Sequence, residues 1–309
     1  MPPEPAHETI STRHRNLLLT ASLLTCLLIA LGGVVCVTQS GKACPDWPGC
    51  FGRVIPPPQV NSIIEYSHRL VAALTGLLII AAAVVGWLRA RSIRWVSRPP
   101  VVAVVFLLAV IVFGALAVLR GIPPWMAALD LGSALIVLAL ILTATVVAFA
   151  RRANPALPDR LSYRSPFARL TLWTLAAVFI TLDSAVLVAG PGSLTRCLGW
   201  PLYSQTLFAI DPRTWMQAAR FIVAAAAGIL VLIVVVTAWR APQQPAPVRK
   251  AAAWAGGLFL FQLAAGGLVL LTGFNIIALL FYTASAAAFW ALLVVLVVQV
   301  GLPANEISA

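Results

Sequence analysis

The sequence predicts an all-α membrane protein whose eight transmembrane helices form two parallel-repeat four-helix bundles. Three observations lead to this fold class. Hydrophobic residues make up 61% of the chain and charged residues only 10%, whereas soluble proteins carry about 25% charged residues. Eight apolar segments reach the roughly 20 residues that a helix needs to cross a bilayer. The two halves of the chain also align at an offset of about 150 residues, which indicates an internal repeat.

The apolar segments divide the chain into two halves with four helices each. The predicted helices cover residues 17–37, 64–88, 99–119, 124–150, 168–190, 214–238, 251–272 and 276–300. The first half is therefore 17–150 and the second 168–300, with a linker at 151–167 and tails at 1–16 and 301–309. The segments are too long and too uniform for barrel strands. The first one is also too long for a signal peptide, so we interpret it as an anchoring helix.

The distribution of Lys and Arg predicts the orientation in the membrane. One side holds Arg13, Arg15, Arg89, Arg91, Arg94, Arg98, Arg151, Arg152, Arg160, Arg164, Arg169, Arg240, Arg249 and Lys250. The other holds Lys42, Arg53, Arg120, Arg196 and Arg213. Because positive loops stay in the cytoplasm, we expect both termini to be cytoplasmic and the loop at 38–63 to lie outside. The net charge of +12 then reflects topology rather than nucleic-acid binding.

The repeat pairs distinctive residues of the first half with different residues in the second. The motif CPDWPGC at 44–50 aligns with CLGWPLY at 197–203, His68-Arg69 with Ala219-Arg220, and Asp130 with Tyr282. The aligned helices run in the same direction, so this is a parallel repeat. Two four-helix bundles side by side are the natural packing of such a chain.

Ionisable side chains at one end of the first bundle are the main functional candidates, because such groups are rare inside a bilayer. Glu65 and His68 are three residues apart, so they share a helix face. Asp130 should lie at a similar depth on the fourth helix. This arrangement suits two axial ligands to a metal between facing helices.

Each candidate also has a simpler interpretation. His68 and Arg69 could be an interfacial pair whose side chains reach towards lipid headgroups. Asp130 could cap a helix or form a hydrogen bond between helices. Tyr282 could be an aromatic residue at the membrane interface. The residues alone leave these alternatives open.

The cysteines predict one disulfide. Cys44 and Cys50 face an oxidising compartment in the expected topology, which favours a bridge between them, and two unpaired thiols are the alternative. Cys197 has a tyrosine where its partner would be, so the second loop cannot close in the same way. We interpret Cys26 and Cys36 as small apolar fillers of the first helix. The sequence contains no nucleotide-binding loop, zinc spacing or hydrolase elbow.

The motifs CPDWPGC at 44–50 and EYSHR at 65–69 resemble the haem A synthase family of membrane proteins. The resemblance covers most of the chain, including the eight spans and the repeat. It implies oxidation of the C8 methyl group of haem o to the formyl group of haem a. It also assigns roles: Glu65 is the catalytic carboxylate, His68 binds the haem iron, and Cys44 and Cys50 form a disulfide. Arg69 would pair with a haem propionate.

The chain departs from the family pattern at three of the four axial histidines. The corresponding residues are Asp130, Ala219 and Tyr282. Asp130 and Tyr282 remain candidate cofactor-binding residues, since tyrosine ligates ferric haem in some proteins. A bis-histidine second haem is excluded, which makes a second b-type haem doubtful. The substrate haem would be held by His68 alone or together with Asp130.

We therefore expect a haem A synthase-like oxidoreductase for terminal oxidase biogenesis, in a bacterial cytoplasmic membrane. The alternatives are a non-catalytic protein for haem handling or cytochrome oxidase assembly, and a structural subunit of a respiratory complex without haem. The resemblance implies haem o, haem O synthase and the terminal oxidase assembly machinery as partners, with the lipid bilayer as surroundings. It also leaves room for a homo-oligomer.

Overall fold

A computed structural model of the protein describes residues 10–188, 197, 212–241 and 244–303. The described residues form nine helices, of which eight are long and apolar enough to cross a membrane. They are α1 (Thr12–Val37), α2 (Val60–Arg89), α3 (Arg94–Leu119), α4 (Pro124–Ala153), α5 (Pro166–Asp183), the short α6 (Ala185–Val188), α7 (Pro212–Arg240), α8 (Ala246–Leu271) and α9 (Ile276–Gly301). The prediction of an all-α membrane protein with eight spans is confirmed.

Several helices begin earlier than the apolar pattern predicts, because polar residues extend their first turns. α1 begins at Thr12 after the N-cap Ser11, whose hydroxyl accepts a hydrogen bond from the His14 N–H. The fifth span differs from the prediction in another way, since α5 ends at Asp183. The Ser184 hydroxyl donates to the carbonyl of Thr181, which competes with the regular helix pattern.

The long helices pack in two rings that share contacts along α9. In the first half, α1 contacts α2 and α4, and α3 also contacts α2 and α4. In the second half, α5 contacts α7 and α9, and α8 likewise contacts α7 and α9. The parallel symmetry that the sequence predicts between the halves stays a prediction.

α9 lies at the centre of the described structure. It contacts α1, α4, α5 and α8, and several of the largest fully buried side chains belong to it, among them Phe289 and Leu293. The Trp290 indole donates from Nε1 to the carbonyl of Leu135 on α4 at 3.0 Å. This hydrogen bond joins the two rings within the apolar core.

The turns at the two ends of the helices differ in chemistry. At what we call the loop end, α1 leads into residues 38–59, and Gly121 adopts a φ of 72° between α3 and α4, a conformation that favours glycine. At the arginine-rich end, residues 90–93 and 154–165 connect the helices. There the Asp159 carboxylate caps α3 by accepting from the Arg94 and Trp95 N–H groups at 2.6 and 3.3 Å.

Candidate functional site

The candidate site is built on the loop that joins α1 to α2. A disulfide links Cys44 to Cys50, as the sequence predicts. Between them, the Asp46 carboxylate accepts from the Phe51 N–H with one oxygen and from the Gly52 N–H with the other, both at 2.6 Å. These bonds, mainly that from Gly52, lower the pKa of Asp46 below its usual value and outweigh the opposite effect of burial. The loop is therefore ordered by one bridge and one carboxylate.

Arg69 connects this loop to α2. Its Nη1 donates to the carbonyls of Asp46 and Gly49 at 2.6 and 2.5 Å. Its Nη2 donates to the Cys44 carbonyl at 3.4 Å and to Glu65 at 2.5 Å. A guanidinium has five N–H donors. These four contacts involve Nη1 and Nη2, and none of them uses the Nε–H.

Glu65 is the second residue that connects α2 to the loop. Its side chain is buried, and besides the ion pair with Arg69 its carboxylate accepts from the Cys44 N–H at 2.8 Å. Both contacts fix the position of the carboxylate. The candidate catalytic group is thus held in one place by the disulfide loop and by its own helix.

His68 lies one turn along α2 from Glu65 and faces α1. Its Nε2 is 3.5 Å from the position that a Cβ would occupy on Gly32. The charges of Glu65 and Arg69 both act on the imidazole. The imidazole nitrogen of His68 therefore packs closely beside Gly32 on α1.

Asp130 lies on α4, and α4 is separated from α2 in the first ring by α1 and α3. Its Oδ1 is buried and has no hydrogen-bond partner among the described residues. Asp183, at the end of α5, also has a buried Oδ1 without a hydrogen-bond partner among the described residues. This oxygen lies 3.2 Å from the position that a Cβ would occupy on Gly132 of α4. The structure thus brings a second carboxylate to the same stretch of α4.

The residues of the second half that align with this site have different side chains. Ala219 is exposed and offers no donor atom. Tyr282 is 1% exposed, and the charge of the nearby Arg220 acts on it. Arg220 also donates from Nε to the Ser184 hydroxyl at 3.1 Å. These residues do not provide the paired imidazoles of a bis-histidine haem.

The structure corrects the interpretation of Cys36. Instead of filling space in α1, Cys36 forms a disulfide with Cys197, with a Cα–Cα distance of 5.7 Å. The pairing was missed because the two residues are 161 positions apart and no local pattern relates them. Cys26 is free and half-buried, as expected of a filler. The remainder of the second motif, at 198–203, lies outside the described residues.

Comparison with known proteins gives the family. The family model described as "Cytochrome oxidase assembly protein" matches residues 15–294. The chain belongs to this family, and within it to the haem A synthases. A "Heme A synthase" from Symbiobacterium thermophilum is 31% identical over 274 residues, which are 86% of this chain and 89% of that protein.

Two further relatives in the family show the same likeness. A "Heme A synthase" from a strain of Exiguobacterium is 32% identical over 209 residues, or 67% of this chain and 66% of the relative. One from Staphylococcus aureus is 28% identical over 258 residues, or 82% of this chain and 84% of the relative. Together with the eight apolar helices, these matches identify an integral membrane protein of haem A biosynthesis and cytochrome oxidase assembly.

The first ring of this family member has donors that fit one haem. The His68 imidazole beside Gly32 and the Asp130 oxygen, which has no hydrogen-bond partner among the described residues, lie on helices that face each other across the ring. Imidazole is a common axial ligand of haem iron. Asp130 supplies a weaker oxygen donor, so His68 would be the main ligand.

The sequence motifs singled out the main residues of the candidate site, but not the residues that hold them in position. The pattern placed Glu65 and His68 on one face of α2, and the structure agrees. It missed the role of Asp46 in ordering the loop and the contact between His68 and Gly32. A signal for Asp46 was present, because Asp46, Pro48 and Gly49 stand within four residues and all three types are typical of turns. No signal pointed to Gly32, since its neighbour comes from another helix.

Proposed function

We propose that this protein oxidises the C8 methyl group of haem o to a formyl group at the loop end of its first ring. The observation that carries the proposal is the network in which Glu65, Arg69 and the Cys44–Cys50 loop surround the first turns of α2 next to His68. The network gives a buried carboxylate a defined position beside an imidazole.

Converting a methyl to a formyl group, with water as the oxygen source, releases four protons and four electrons. The site therefore needs a proton acceptor, and the electrons must pass to dioxygen or a respiratory electron carrier. Glu65 is the candidate proton acceptor, because its buried carboxylate is held in place one turn along α2 from His68. His68 would hold the substrate iron, and Asp130 would face it from across the ring.

Two other residues would position the substrate. The remaining Nε–H of Arg69 suits a propionate carboxylate, because charge-assisted hydrogen bonds are stronger than neutral ones. Tyr282 is buried in the second half and is assigned to the packing around α9 in this proposal. Loss of the second imidazole pair leaves one haem site in the chain, so this protein would act without a bis-histidine b-type haem.

The test uses a bacterial host that makes haem o but lacks a haem A synthase. Expression of the full chain should give haem a in membrane extracts separated by chromatography. His68→Ala should remove haem a and the haem absorption of the purified protein. Glu65→Gln, which keeps an oxygen to accept from Cys44, should lower haem a by at least about tenfold, in the range of positioned proton transfer.

Ser67→Ala is the matched control, because Ser67 is exposed on the same turn of α2 and donates only to its own helix. Its haem a yield should equal that of the unmodified protein. Haem o alone in cells with a well-expressed unmodified chain would contradict the enzymatic proposal and favour a haem-handling role. Unchanged haem absorption in His68→Ala would remove His68 from the site.

A further inference from the structure

A cavity lies at the opposite end of the molecule from the candidate haem site. Its volume is about 480 Å³, within the range of small-molecule sites. It is enclosed by α1, α4, α8 and α9, so both rings contribute to it. Most of its wall is apolar, and its lining includes Leu142, Val146, Phe149, Val248, Val295 and Leu302.

The cavity opens towards the surroundings of the helices. Leu19 on α1 and Phe149 on α4 line it, and 37% and 40% of these residues are exposed. In a protein that spans a membrane, an apolar opening at this depth faces lipid. The Gln299 side chain also lines the cavity, and its Oε1 has no hydrogen-bond partner among the described residues.

Three arginines lie next to residues that line the cavity. Arg15 is only 7% exposed, and its guanidinium carbon lies 5.2 Å from the centroid of the Phe149 ring. Arg152 is close enough for its charge to act on Arg15. Arg151 follows directly after Ala150, which lines the cavity. The Nε atoms of Arg15 and Arg151 are buried without a hydrogen-bond partner in the described part of the chain.

These positive charges are not balanced by carboxylates in the described residues. The ion pair that the described residues contain joins Arg69 to Glu65, at the opposite end of the molecule from these arginines. Asp159 is the acidic residue that the described structure places at the arginine-rich end, and both of its oxygens cap α3. Bringing Arg15 and Arg152 together without an anion is unfavourable. An anion between them would remove this repulsion.

We propose that this cavity binds one anionic glycerophospholipid, with an acyl chain in the apolar space and the phosphate at Arg15, Arg151 and Arg152. Charge complementarity selects the head group, and the open apolar cavity selects the tail. Basic pockets between transmembrane helices are known to bind anionic lipid headgroups. Because the wall comes from both rings, the lipid would hold α1 and α4 against α8 and α9.

The first measurement is native mass spectrometry of the full chain in mild detergent, with phosphatidylglycerol or phosphatidylcholine added. One phosphatidylglycerol should remain bound per chain, in preference to phosphatidylcholine. The double variant Arg15→Gln/Arg152→Gln should weaken phosphatidylglycerol binding by at least about tenfold, which corresponds to about 1.4 kcal/mol. Equal retention of the two lipids by the unmodified protein would overturn the proposal without requiring any variant.

Two further comparisons separate the head group from the tail. Arg91→Gln/Arg98→Gln removes two charges at the same end. Arg91 stacks on Trp87, which is not a lining residue, and neither arginine is adjacent in the chain to one, so lipid binding should be unchanged. Val146→Phe/Val295→Phe fills the cavity and should also weaken phosphatidylglycerol binding by about tenfold. Undiminished binding in the filled cavity, or equal displacement by inorganic phosphate, would show a free-anion site and contradict the lipid proposal.

Discussion

Arg69 determines the shape of the candidate site through four hydrogen bonds to the loop and to Glu65. The side chains of the ion pair are 12% and 4% exposed, so water screens the pair weakly. An exposed pair contributes about 0–1 kcal/mol, whereas removing one partner of a buried pair costs about 3–5 kcal/mol. Arg69 is therefore both a structural residue and a candidate substrate contact, and its substitution would not separate the two roles.

Asp46 offers a cleaner test of the loop. Its pKa is lowered in the folded protein by the Gly52 and Phe51 N–H groups. A lowered pKa means that the carboxylate stabilises the loop above its ordinary pKa of 3.8. This stabilisation is lost as the pH falls through the lower folded value. We expect the amides of Phe51 and Gly52 to exchange hydrogen faster at about pH 3 than at about pH 6, after correction for the intrinsic pH dependence.

Asp46→Asn should abolish that pH dependence and leave exchange fast at both values, because the amide has only one acceptor oxygen. Slow, pH-independent exchange at both amides of the unmodified protein would contradict the assigned role of Asp46.

At the scale of single helices, α1 has one position where it touches α9 very closely. A Cβ on Gly33 would lie 2.7 Å from the Cβ of Thr283. Because that atom is fixed to the backbone of α9, a rotamer change cannot relieve the clash. Small residues of this kind allow transmembrane helices to approach each other.

Gly33→Ala should therefore destabilise the protein by about 1–3 kcal/mol, as overpacking does. Thermal unfolding in detergent should show a lower Tm. Gly114→Ala is the matched control, because no atom lies within 4 Å of its Cβ position on α3. Alanine should be neutral or slightly stabilising there. Equal Tm values for the two variants would show that α1 and α9 are not in close contact at Gly33.

The disulfide between Cys36 and Cys197 links the end of α1 to the connection that precedes α7. Mass spectrometry of unreduced peptides should find these two cysteines linked, in addition to Cys44 with Cys50. In Cys36→Ser, Cys197 should become alkylatable while the Cys44–Cys50 peptide stays bridged.

Cys26→Ser provides the control for that experiment, because Cys26 is free and both bridges should remain. A bridge between Cys197 and any other cysteine would contradict the assignment, as would free Cys36 and Cys197 in the oxidised protein. This experiment measures only which cysteines are linked, so it does not depend on enzymatic activity.

At the scale of the whole molecule, the two ends of the helices should face different compartments. The positive loops predict that the arginine-rich end is cytoplasmic. In a Cys26→Ser background, a cysteine at the exposed position 53 should react with a membrane-impermeant maleimide in intact cells, whereas one at the exposed position 91 should react only after lysis. The reverse labelling pattern would invert the predicted topology and place the arginine-rich end outside.

Local properties of the sequence were sufficient to predict the eight membrane-spanning helices, the class of fold and the disulfide between Cys44 and Cys50. Apolar length reports a transmembrane helix because every backbone polar group in lipid must be satisfied within its own segment. The spacing of Glu65 and His68 likewise placed both on one face of α2, since residues three apart on a helix are neighbours. The family followed from short motifs in the same region.

Contacts between distant segments could not be read in this way. The arrangement of the helices decides that Cys36 meets Cys197, that His68 packs beside Gly32, and that Arg69 binds the loop carbonyls. The cavity between the two rings could not be predicted from the sequence either, because four helices from both halves enclose it. Such contacts depend on helix packing in three dimensions, whereas periodicity within one segment shows only which face is apolar.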